Sequence, residues 1–128
     1  LAVSDDGTEL WVAMKYYGDV NRAILTDPEP TFNDGCSVEE EFGVSPKGVE
    51  LHGNLLVVTD YESDNFFVFD TVPDTPHHCE LVTVIPSTSA GGDEYIHYHD
   101  GYMWTSHRSG DDSQINMIPW DWSALEEL

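Results

Sequence analysis

A unit written about three times along the 128 residues constrains the fold more than any other feature of the chain. Its best-preserved version runs from Val44 to Thr71, as three short runs of strand-forming residues separated by two turns. Aligning the turn glycines Gly7, Gly53 and Gly101 gives spacings of 53−7 = 46 and 101−53 = 48, within the range that marks a repeat architecture. After each glycine comes a strand: Leu10 to Ala13, Leu55 to Thr59 and Met103 to Ser106. A polar turn ends each one, at 15–19, 60–65 and 107–112, and a second strand follows at Val20 to Leu25, Phe66 to Phe69 and Ile115 to Ile118. β-Branched and aromatic runs bounded by Gly, Asp, Asn and Ser are hairpin strands. A further strand precedes each glycine, at Leu1 to Ser4, Val49 to His52 and Tyr95 to His99. Cys36 to Phe42 and Cys79 to Ile85 supply a fourth in the first two units.

Four antiparallel strands per ~46 residues is the arithmetic of a β-propeller blade. The expected fold is therefore all-β, a β-propeller segment of four-stranded antiparallel blades. Its blades would occupy 1–43, 44–86 and 87–128, the last lacking its outer strand, which makes roughly 2.75 blades. Pro28, Pro30, Pro73 and Pro76 lie in the loops that lead to the outer strands. The one helical signal is Trp122 to Leu128, a short terminal turn with Ser123 as the expected cap.

Asp6-Gly7, Leu10-Trp11-Val12-Ala13 and Ile24-Leu25-Thr26-Asp27 form one version of a loose pattern. His52-Gly53, Leu56-Val57-Val58-Thr59 and Val68-Phe69-Asp70-Thr71 form a second, and Asp100-Gly101, Met103-Trp104-Thr105 and Met117-Ile118-Pro119-Trp120-Asp121 a third. The pattern resembles that of YVTN-type and related β-propeller repeat proteins, and the resemblance covers nearly the whole chain. Closed propellers have four to eight blades, so the others must come from the rest of a longer chain or from further copies of this one. The longer chain is the expectation, since Leu1 to Ser4 reads as the middle of a repeat.

The resemblance implies a ligand face at the mouth of the central channel, built by the loop inside each middle hairpin and the loop entering each blade. That face would offer Tyr16, Tyr17, Asp19, Asp60, Tyr61, Glu62, Asp64, His107, Arg108, Asp111 and Asp112. Clustered carboxylates with aromatics suit Ca²⁺ or a polar ligand such as a carbohydrate, because hard cations want several oxygen donors at once. The same residue types are also what hairpin turns require for their backbone. His97 and His99 fall on one face of a strand by its period of two. With His107 across the hairpin they form a candidate transition-metal set; the competing reading is buried histidines bonded to backbone or tyrosine.

Lys and Arg number 4 against 25 Asp and Glu, a formal charge of −21. Such a field repels phosphate backbones and anionic lipid surfaces, which excludes nucleic acid and anionic membranes as natural partners. Adaptation to salt, cation binding and simple solubility of a secreted domain each account for the acidity. No run approaches the ~18 apolar residues of a membrane span. Cys36 and Cys79 hold matching places at the start of successive outer strands. Such strands are expected to splay apart, while a disulfide needs Cα atoms within ~7 Å, so bonds to other segments or free thiols are expected over a mutual bond. His77-His78 is expected in solvent, and Trp11, Phe66, Phe67, Phe69 and Trp104 between blades.

The chain contains no Gly-x-Ser-x-Gly elbow, no phosphate-cradling glycine loop and no Cys-x-x-Cys pair. The leading expectation is a non-catalytic, extracellular or cell-surface propeller module for protein interaction or assembly, with other blades as its first partners. The alternatives are a metal-dependent propeller hydrolase, lactonase or oxidoreductase with its site at the channel mouth, and an acidic propeller of a salt-adapted cell.

Overall fold

A computed structural model describes residues 1–14, 19–32, 34–37, 46–60, 65–71, 79–86, 95–109 and 112–128, with the backbone alone at 34, 37, 107–109 and 112. The described residues form three antiparallel sheets and one short helix. In the first sheet β1 (Ala2–Val3), β2 (Glu9–Met14), β3 (Asp19–Ile24) and β4 (Asp34–Ser37) lie side by side in chain order. The second sheet repeats that order with β5 (Pro46–His52), β6 (Leu55–Asp60), β7 (Asn65–Asp70) and β8 (Glu80–Pro86). The third has three strands, β9 (Tyr95–His99), β10 (Tyr102–Ser109) and β11 (Asp112–Pro119), and is followed by α1 (Trp122–Glu126).

The second sheet lies between the other two, and this explains its composition. Every residue of Leu55-Leu56-Val57-Val58-Thr59-Asp60 is buried, as a strand covered on both faces requires. Alternate side chains go to opposite interfaces. Leu56, Val58, Phe67 and Phe69, with Val49 and Leu51 of β5, pack on Ala2, Trp11, Val20 and Cys36 of the first sheet. Leu55, Val57, Phe66 and Val68 pack on Ile96 and Met103 of the third, under a lid of Trp120, Trp122 and Leu125. β5 lies against both β1 and β9, so the first strands of the three sheets run together. Among the described residues no closed barrel forms, and none of them packs a further sheet on the outer face of the first or the third sheet.

Four expectations change. Gly53 and Gly101 are not equivalent: the β5–β6 turn is Gly53-Asn54 and the β9–β10 turn is Asp100-Gly101. It is Asp100 (φ 52) that takes the left-handed place of Gly53 (φ 57), which aspartate tolerates better than most residues. The expected polar turn 107–112 is largely strand, because pairing continues through His107↔Gln114, Arg108↔Ser113 and Ser109↔Asp112. The cap of α1 is Asp121 rather than Ser123: its carboxylate accepts from the Ser123 and Ala124 N–H groups at 3.0 and 3.4 Å, satisfying donors that the first helical turn leaves without partners.

The fourth concerns the cysteines. Cys36 and Cys79 form a disulfide with their Cα atoms 5.1 Å apart. Both belong to the packed interface between the first two sheets, so the outer edges are stacked there instead of splayed. Gly35, beside Cys36, marks a separate close approach within the first sheet, where a Cβ would run into the Val20 carbonyl oxygen of β3.

Candidate functional site

Tyr16, Tyr17, Tyr61, Glu62, Asp64 and Asp111 lie outside the described residues, as does His77-His78. The other members of the expected mouth sit at the hairpin ends of their sheets. Asp19 opens β3, opposite Met14, and is half-buried. Asp60 closes β6, opposite Pro46, and is fully buried, so it is a core residue of a strand end rather than a solvent-facing turn residue. Arg108 and Asp112 hold positions opposite Ser113 and Ser109.

The histidines separate. His97 pairs with Trp104 and His99 with Tyr102, so both share the outward face of the third sheet, since directly opposed residues of an antiparallel pair point the same way. Position 107 falls in the other alternating set, with Met103 and Thr105. Among the described residues no three His, Cys, Asp or Glu groups stand close enough to hold a metal ion. His97 instead has a carboxylate neighbour, with its Nδ1 3.3 Å from Glu50 Oε2. The Tyr98 backbone N–H donates to the same oxygen at 3.1 Å. Burial raises the Glu50 carboxyl above its ordinary value, against the opposing effects of the Tyr98 N–H and of His97. Next to it on β5, His52 stacks on Trp122 at 4.6 Å and lies 3.6 Å from Glu126 Oε1, while Tyr98 sets its edge against both rings. This seam joins the second sheet to the third. It brings Glu50 and His97 together, and among the described residues no third metal-ligating group joins them.

A shallow cleft of about 200 Å³ lies at the edge of the second sheet, lined by Asp70, Glu80, Leu81, Val82 and Leu128. Its two carboxylates are opposed across β7 and β8.

The most distinctive surface is the outward face of the third sheet. Its register gives three rows across the strands, Tyr95–Ser106–Ile115, His97–Trp104–Met117 and His99–Tyr102–Pro119. Ile115 is 77% exposed, Tyr95 58%, Met117 50% and Trp104 38%. None of the nine positions is Asp or Glu, in a chain with 25 such residues among 128. Large apolar side chains gathered on a face free of carboxylates are the composition of an interaction surface.

No family model, curated protein or solved structure matches this chain.

Trp11, Phe66, Phe67 and Phe69 are buried between sheets, whereas Trp104 belongs to the open face. Of the Glu50 seam, spacing points to His97 but not to its partner, although Glu50 and His52 alternate with Val49 and Leu51 in β5. That alternation is the available signal, since a polar residue on an inward-facing strand position requires a partner across the interface.

Proposed function

We propose that this chain is the stacked arc of a β-propeller, similar to YVTN-type repeats, that acts without catalysis as an interaction and assembly module outside the cell or at its surface. The observation that carries the reading is the outward face of the third sheet, where Tyr95, Trp104, Ile115 and Met117 stand exposed together. The second sheet buries both of its faces against neighbours, and a face of like composition at the end of the stack is suited to take another sheet. The Cys36–Cys79 bond suits an oxidising compartment. No helix among the described residues is long and apolar enough to cross a membrane. The acidity keeps the remaining surface hydrated and away from nucleic acid.

Metal analysis of the native protein tests this reading against a metal-dependent enzyme. The expected result is no stoichiometric metal. A metal bound at one per chain and lost on replacing His97 and His99 would overturn it.

A further inference from the structure

We infer that the outward face of the third sheet docks the outward face of the first sheet of a second copy, head to tail, so that two chains close a ring of six sheets. The inference rests on the propeller reading above and names a second copy, the alternative to further blades of a longer chain, as the occupant of the open face.

The turn alignment makes the stacking rule explicit. With Gly53 matched to Asp100, Leu56 corresponds to Met103 and Val57 to Trp104, a shift of 47. Trp11 stands 46 positions before Val57, and Leu10 the same distance before Leu56. Trp11 faces the second sheet and Val57 faces the third, so each sheet presents the same front to the next one. Leu56 and Met103 form the backs that receive those fronts. Among the described residues one front is left open, that of Trp104, and one back is left open on the same chain. The open back is the face of β2 and β3 that carries Leu10 and Val12 with Ala23 and Asn21, together with Val3 of β1. Val3 is exposed, Leu10 and Val12 are half-buried, and the small Ala23 is buried.

The chain therefore holds both halves of an interface it already makes twice internally. Such a contact is heterologous, and it closes into a ring when the rotation per sheet allows. The three described sheets from each 128-residue copy give six, inside the range of four to eight that closes. A front-to-front dimer is less suited, because it would set one front against another instead of against a back. Charge limits the affinity without misdirecting it. None of the nine positions of the open front is a carboxylate, with Glu50 at its margin beside His97, while each copy bears −21 overall, so repulsion acts over the whole surface and is screened by salt, the Debye length falling from about 8 Å at 0.15 M to about 3 Å at 1 M.

The test is the mass in solution of the oxidised 128-residue protein by light scattering, over a range of concentrations at low and high salt. The expected mass is twice 14.4 kDa, with association tightening as salt rises. Ile115→Lys on the front and Val3→Lys on the back are both exposed positions, so the fold is expected to survive; circular dichroism checks it, and Met117→Lys serves as a second front variant. Each single variant should weaken association on the order of 100-fold by burying an unpaired charge. An equimolar mixture of a front and a back variant should recover the double mass, since one unaltered interface remains between them. A wild type that stays at 14.4 kDa throughout, a Val3→Lys variant that still dimerises, a ladder of larger masses, or a mixture that fails to recover would each overturn the inference. A wild type that stays monomeric and free of metal removes the second copy alone, whereas a bound metal removes the functional reading itself.

Discussion

Cys36 of β4 is bonded to Cys79 at the entrance to β8, with the two Cα atoms 5.1 Å apart and a sequence separation of 43. The bond staples the outer edge of the first sheet to that of the second, at the far side of the interface from β1 and β5, where the first strands already touch. The two sheets are thus tied at both margins. Closing a loop of this length restricts the unfolded chain by about 4 kcal/mol in the chain-entropy account. Replacing both cysteines by alanine should therefore lower the unfolding free energy by about that amount, read from denaturant midpoints. A loss below about 1 kcal/mol would show that the bond constrains little.

Gly35 tests how closely β3 and β4 approach each other. In Gly35→Ala the new Cβ would fall 1.9 Å from a backbone oxygen, that of Val20, at a φ of +154, and backbone cannot swing aside as a flexible side chain can. The expected cost is about 3 kcal/mol. Gly53→Ala meets nothing within 4 Å and should cost only the left-handed strain, about 1 kcal/mol. Equal losses in thermal unfolding would contradict the close approach.

Two carboxylates give stability opposite dependences on pH. Asp6 is held down to about 2 by the Thr8 hydroxyl first, then by the Ser4 hydroxyl and the Thr8 N–H. Its folded value lies below its unfolded one, so its contribution is present above the ordinary value of 3.8 and is lost as pH falls toward 2. Glu50 is raised by burial, so its contribution is present below the ordinary carboxylate value and is lost as pH rises through the raised one. Melting curves against pH should show Asp6→Asn less stable than wild type at pH 5 and converging with it near pH 2. Glu50→Gln should remove the decline that wild type shows on leaving the acid range. Curves parallel to wild type for both variants would contradict these assignments.

Much of the fold was legible in the sequence because period-two strands and Gly, Asp and Asn turns leave strong local marks. The runs around Leu55–Thr59, Phe66–Phe69 and Tyr95–His99 became β6, β7 and β9 at nearly those bounds. Pairing register across a turn was less legible. Asp100 takes a left-handed conformation usually left to glycine, and matching Gly101 to Gly53 therefore shifted the third unit by one residue. In a strand a shift of one moves every side chain to the other face. The Cys36–Cys79 bond depends on how two sheets stack, which no local pattern records. The same holds for the site: Tyr95, Trp104, Ile115 and Met117 are dispersed over three strands, and only the register of β9, β10 and β11 gathers them.

Oxidative footprinting of that face tests most directly whether it is an interaction surface. In the oxidised wild-type protein at high concentration and high salt, Trp104 and Met117 should be oxidised slowly, approaching the rates of buried Met103 and Trp120, and Ile115→Lys should restore fast oxidation of both. Trp104 and Met117 reacting as fast in the wild type as in the variant would contradict the account.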